Sequence, residues 1–196
     1  MAKVYLFLAN GFEEVEAMTP VDVFRRAGIE VVTVSITGSE FVKGAHNVII
    51  KADKVFAECK FTDADLLVLP GGMPGATNLN EHQGLRNLLI EHNLRHKKIG
   101  AICAAPLVLG GLGLLKGKKA TCYPGFEKFL TDAEYTADLV TVDSNITTGE
   151  GPAASLEFAY TLLEQIAGSK PVDPIREGMM YKHLEEELKN KKILKY

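Results

Sequence analysis

Several familiar signatures are missing from this 196-residue chain, and each absence removes a class of function. There is no Walker loop, and no G-x-G-x-x-G follows the first strand-like run, so no nucleotide cofactor is expected. Cysteine is scarce: three residues, an odd number with no CxxC spacing, suit a reducing compartment better than a disulfide framework. Positive charge is not in excess, with 22 Lys and Arg against 25 Asp and Glu. A formal net charge of -3 argues against nucleic acid, which demands a concentrated basic face. No apolar run reaches the roughly 18 residues of a membrane span. Met1-Ala2-Lys3 leads straight into a strand pattern, not a cleavable signal. The expected location is the cytoplasm, with no membrane partner. His46, His82, His92, His96 and His183 are scattered without metal-ligand spacing, so no metal is expected either.

What remains is an ordinary soluble composition, 46% hydrophobic and 24% charged, long enough for one full core and without a linker-like stretch. The whole chain, 1–196, is therefore expected to be a single domain. Val4–Ala9, Glu30–Ile36, Asp65–Leu69 and Lys98–Ile102 are near-continuous apolar or β-branched runs, the pattern of strands buried on both faces. Between them lie helical patterns from Phe12 to Arg26 and from Glu81 to His96. Thr37–Lys51 reads as a hairpin-like excursion, Lys118–Cys122 as a strand, and Leu139–Val142 with Asn145–Thr148 as a strand pair. Ala153–Ile166 is the longest clean helix. The charged tail 170–196 carries Glu185/Lys189 and Glu187/Lys191 at i,i+4, the mark of a solvated helix face. Strands alternating with helices predict a parallel α/β sandwich, with reactive groups at the carboxyl ends of the strands.

Three loops fall at such ends: Asn10–Glu16, Pro70–Ala76 and Cys103–Pro106. Cys103 sits between a strand and a helix start, flanked by small residues, the logic of a nucleophile elbow with cysteine in place of serine. A helix N-terminus favours thiolate there. A buried structural cysteine would produce the same local pattern. Gly71 and Gly72 offer unobstructed backbone N–H groups for an oxyanion hole with Ala104, or simply a tight turn. Glu13, Glu14 and Glu16 open a helix. One of them, desolvated and protonated beside the thiol, would donate a hydrogen bond to sulfur, and spacing does not choose among the three.

The combination of Gly11–Glu16, Thr19–Gly28, Val68–Gly72, Gly75-Ala76, Ala101–Pro106, Gly151-Pro152 and Glu157–Ala159 closely resembles the ThiJ/PfpI superfamily. Within it, the chain is most similar to the DJ-one-like branch of the parkinsonism-associated deglycase. The resemblance runs from about residue 4 to 168 and leaves out the charged tail. It implies a flavodoxin-like three-layer sandwich with a mostly parallel central sheet, usually a homodimer. It also implies an easily oxidised Cys103, a Glu16 that hydrogen-bonds it, and oxyanion-binding backbone at Gly72 and Ala104. Tyr123 stands where many members have a histidine, and Tyr123 and Arg26 are the expected pocket residues. Ala104 occupies the position at which the protease-like branch carries its dyad histidine, which argues against a peptidase.

Two functions follow from that resemblance. One is cofactor-independent detoxification of reactive carbonyls, as a glyoxalase or protein deglycase, acting on small reactive aldehydes or glycated protein. The other is a redox-sensing stress or chaperone protein that uses Cys103 oxidation without turnover.

Overall fold

The computed structural model describes residues 2–169 and 172–190. The central elements are β1 (Lys3–Leu8), α1 (Glu14–Arg26), β2 (Glu30–Ser35), the hairpin β3 (Phe41–Lys43) and β4 (Ile49–Lys51), β5 (Lys54–Val55) and β6 (Leu66–Leu69). There follow α2 (Gly75–Glu81), α3 (Gln83–Leu94), β7 (Lys98–Ile102), α4 (Pro106–Gly111), β8 (Lys119–Ala120), β9 (Glu134–Tyr135), β10 (Val140–Asp143) and β11 (Ile146–Gly149). The chain continues through α5 (Ser155–Ala167), α6 (Val172–Gly178) and α7 (Tyr181–Asn190). Seven strands form one sheet in the order β10-β11-β7-β6-β1-β2-β5, parallel throughout except for the antiparallel pair β10–β11.

The apolar runs become strands because both faces of the sheet are covered. Alternation in β1 divides the core: Val4, Leu6 and Leu8 face α1 and α5, while Tyr5, Phe7 and Ala9 face α2, α3 and α4. The result is the flavodoxin-like three-layer sandwich. Since β1, β6 and β7 are neighbours and parallel, the loops that follow them emerge side by side at one end of the sheet.

The structure differs from the sequence reading in three places. The helix expected over Glu81–His96 is present as α3, but a further helix, α2, precedes it, and the two are separated where His82 leaves helical geometry (ψ 100°) and its Nδ1 accepts the Leu85 N–H at 3.0 Å as an N-cap. Of Lys118–Cys122 only Lys119–Ala120 pairs, in a separate two-stranded sheet with β9, since the Tyr123 N–H bonds to the Cys103 carbonyl and turns the chain away. The tail is not merely solvated. Arg176 stacks on the Tyr160 and Tyr181 rings and pairs with Glu157 at 3.1 Å, fastening α6 to α5. Met179 accepts a Tyr160 hydroxyl hydrogen bond. α7 buries none of its side chains, as a solvated face should. The expected pairing of Glu187 with Lys191 lies outside the described residues, as do Lys170 and Pro171. No described helix is long and apolar enough to cross a membrane.

Candidate functional site

Cys103 occupies the turn between β7 and α4 with φ +63°, a left-handed conformation that costs a non-glycine residue on the order of 1–3 kcal/mol. Four neighbours hold it there. Its N–H donates to the Gly149 carbonyl at 2.9 Å, and its carbonyl accepts from Tyr123 at 2.9 Å. Its side chain is 8% exposed, and the N–H groups of Gly72 and Ala104 act on the sulfur. The strain is that of an elbow held in place by β11 on one side and the Tyr123 loop on the other.

The structure separates the three glutamates that spacing leaves equivalent. Glu13 is the N-cap of α1, its Oε2 accepting the Glu16 N–H at 2.7 Å. Glu14 turns outward to the β3–β4 loop, where it accepts from the His46 and Val48 N–H groups and meets His46 Nδ1 at 2.8 Å. Glu16 points inward and is fully buried. Its Oε2 accepts the Gly71 N–H at 2.8 Å. Oε1 has no oxygen or nitrogen partner, and Cys103 is the side chain this carboxyl engages. Burial lifts the Glu16 carboxyl to about 7, against the pull of Cys103 and the Gly71 amide.

Burial likewise pushes the Cys103 thiol up, with Glu16 adding to the rise and the Gly72 and Ala104 amides opposing it. Here the expectation of a thiolate made easy by a helix N-terminus fails. α4 has six residues, begins three positions after Cys103, and leaves the sulfur in a desolvated place. Ionisation of this thiol is therefore coupled to Glu16, whose carboxyl adds to burial in opposing it.

The Gly72 and Ala104 N–H groups are turned toward the Cys103 sulfur. Gly71 does not serve that role, because its N–H is already spent on Glu16. Its contribution is the absence of a side chain. A Cβ there would stand 2.7 Å from both Cys103 Cβ and Glu16 Oε2. Gly71→Ala is thus expected to cost about 1–3 kcal/mol and to slow Cys103 alkylation by prying the pair apart. Thermal melts combined with iodoacetamide kinetics check this, and an unchanged alkylation rate would contradict it.

Tyr123 is 47% exposed and walls a cavity of about 250 Å³ beside the elbow. Within the subunit Arg26 does not reach Cys103. It ends α1, ten residues beyond Glu16, so roughly 15 Å of helix separates them, and it pairs with Asp22 at 2.8 Å. His46, which shows no partner in the sequence, is brought to Glu13 and Glu14. Their ligand atoms all lie within 4.8 Å, a spacing that suits a cation, though the loop's own hydrogen bonds already occupy both Glu14 oxygens. No local signal links residues 32 positions apart.

The strained cysteine elbow at the carboxyl edge of a flavodoxin-like sheet, with a buried carboxyl beside it, defines a compact class of α/β proteins. Residues 2–165 match the DJ-1/PfpI family, and the chain belongs to that family. It is 36% identical to protein dj-1beta of Drosophila melanogaster over 89% of this chain and 95% of the relative. The crystal structure of Drosophila DJ-1beta matches with a TM-score of 0.88, covering 91% of this chain and 97% of that one. Protein DJ-1 homolog B of Arabidopsis thaliana is 37% identical over 86% of this chain, which spans only 39% of that longer protein. The glutathione-independent glyoxalase DJ-1 of Schizosaccharomyces pombe is 29% identical over 91% of this chain and 98% of its own.

Proposed function

We propose that this protein detoxifies reactive carbonyls with Cys103 as nucleophile and no cofactor, as part of a stress response. The observation that carries the reading is the buried Glu16 carboxyl, lifted to about 7 and set against the Cys103 thiol. A group titrating near the working pH is suited to moving protons both ways. The sulfur adds to the aldehyde carbon of a 2-oxoaldehyde while its proton passes to Glu16, and the carbonyl oxygen takes up a proton to give a hemithioacetal. Glu16 then moves the C1 proton to C2, leaving a 2-hydroxy thioester. Water cleaves that ester, releasing the hydroxy acid and the thiol. Methylglyoxal plus water becomes lactate, with no net oxidant. The Gly72 and Ala104 amides stabilise the oxyanions of addition and hydrolysis.

The name of the fission yeast relative supports this reading. A glycated protein offers the same carbonyl chemistry in an adduct. We further propose a cytoplasmic homodimer as the working form.

The second reading, oxidation of Cys103 to sulfinate as a redox signal, is favoured by the same donors: the Gly72 and Ala104 amides and a protonated Glu16 suit sulfinate oxygens. Lactate formation from methylglyoxal by the purified protein without glutathione decides between them. Turnover well above a protein-free control is expected, and its absence alongside ready sulfinate formation would favour the sensor.

A further inference from the structure

A cavity of about 330 Å³ opens between α2 and α4, and Cys103 is not among its lining residues. Thr77 and Asn80 of α2 face Leu107 and Gly111 of α4, and the segment 126–131 closes the open side. The space exists because position 111 has no side chain: a Cβ there would already touch Asn80 Oδ1, at 3.5 Å. Its volume and its make-up, apolar walls with few polar groups, are those of a small-molecule site. Met73 and Phe129, both on the wall, are 48% and 41% exposed, apolar surface that an occupant would take out of water.

The polar groups of the wall are donors in excess of acceptors. Asn80 Oδ1 is taken by Arg86 Nη1 at 2.7 Å, which leaves the Nδ2 hydrogens unclaimed among the described residues. Lys128 is the single charge of the lining. Its ammonium lies 5.1 Å from the centre of the Phe129 ring and has no carboxylate partner among the described residues. The acids close to it in the chain are engaged elsewhere. Both Glu127 oxygens accept the Gly125 N–H, Asp132 pairs with Lys116 at 3.9 Å, and Glu81 lines a different cavity beside His82.

We infer that this cavity binds a small monocarboxylate with an apolar body of phenyl or branched-alkyl size. One unpaired ammonium balances one negative charge, and the Asn80 amide is a second donor for the carboxylate oxygens. Met73, Leu107, Phe126 and Phe129 receive the apolar body. A polyanion such as a phosphate ester would set uncompensated charge against these walls, which is costly. The inference concerns a second site and is independent of the chemistry proposed for Cys103.

Three probes of one shape test it: phenylpropionate, the neutral phenylpropionamide and the cationic phenylpropylamine. Each is titrated into the full-length, isotope-labelled protein, and the backbone amide shifts of Thr77, Asn80, Gly111 and Phe129 report occupancy. Phenylpropionate is expected to saturate these shifts with a millimolar or tighter Kd, which ligands of this size reach. It should bind about three- to fivefold tighter than the amide, and the amine more weakly than either. Raising ionic strength from about 0.02 to 0.5 M should remove most of the difference between acid and amide, an arm that needs no variant to fold. Lys128→Gln, at an exposed position, should do the same while leaving the amide's Kd within about twofold. Gly111→Leu fills the cavity and should weaken all three probes by at least about tenfold. Titration of the protein as it assembles also reads coverage of this layer by a second copy, which would leave every probe unbound. No saturable shift at these amides with about 10 mM phenylpropionate overturns the site. Equal affinity for acid and amide, moved neither by salt nor by Lys128→Gln, overturns the carboxylate class.

Discussion

Cys103→Ser is expected to abolish lactate formation, a loss of at least roughly a thousandfold, while leaving the fold in place. The hydroxyl would stand where the thiol stands, with the Gly72 and Ala104 amides still beside it, but a serine without a strong base is a far weaker nucleophile. Little volume changes, so the cost in stability should stay within about 1–2 kcal/mol, a few degrees in thermal midpoint for a chain of this size. Neither remaining cysteine can substitute. Cys122 is fully buried, and the Glu16 carboxyl and the Gly72 and Ala104 amides act on Cys103. Lactate assays run beside thermal melts decide the matter. Retained turnover would remove Cys103 from the chemistry, and a collapsed midpoint would return it to a structural role.

The second large effect belongs to Glu16. In Glu16→Leu the buried sulfur loses its proton acceptor and the carboxyl that adds to the rise of its thiol, so only desolvation and two amides act on it. The thiolate is expected to form at lower pH than in the unmodified protein, and peroxide should carry Cys103 past sulfinate more readily, because the sulfinate oxygens lose the Glu16 donor. Thiolate absorbance against pH gives the first quantity, and mass spectrometry the second. A Cys103 titration that does not move would take the role away from Glu16. Leucine substitution at Glu13 or Glu14 should act through stability instead, since one caps α1 and the other holds the β3–β4 loop.

Glu16→Gln separates charge from shape. Glutamine can still accept the Gly71 N–H but does not titrate. In the unmodified protein the Glu16 carboxyl is raised from 4.5 to about 7 on folding. Its contribution to stability is full below pH 4.5 and is lost as pH rises through about 7, because the unfolded chain gives up the proton first. The loss is on the order of 3 kcal/mol. Relative to the unmodified protein, Glu16→Gln should therefore gain stability from pH 5 to pH 8. A constant difference across that window would mean that the carboxyl is not held neutral by burial.

Much of the fold is legible in the chain, for a local reason. Val4–Leu8 and Lys98–Ile102 announce themselves because a strand covered on both faces must be apolar along its length. The elbow is legible because few other settings ask for a cysteine between a strand and a run of small residues closed by Pro106. The helix α2 is not, since its seven residues follow directly on the Pro70-Gly71-Gly72 loop signal and end at the capping His82. The docking of α6 depends on Arg176 reaching Glu157 and two tyrosine rings across a chain turn.

At the site, residue types and their neighbourhood in the chain single out Cys103, a glutamate near the start of α1 and the Gly71-Gly72 turn as the candidate reactive groups. Which glutamate serves is decided by the rotation of α1 against the loop after β6: Glu16 goes inward to the Gly71 amide and the sulfur, Glu14 outward to His46, and Glu13 to the cap. The separation of Arg26 from Cys103 within the subunit, the loss of Gly71 as an oxyanion donor and the burial that opposes thiolate formation are decided in the same way. Periodicity reports on one segment at a time, whereas burial, coupled titration and the facing of one loop by another exist only once β7, β6 and β1 lie side by side.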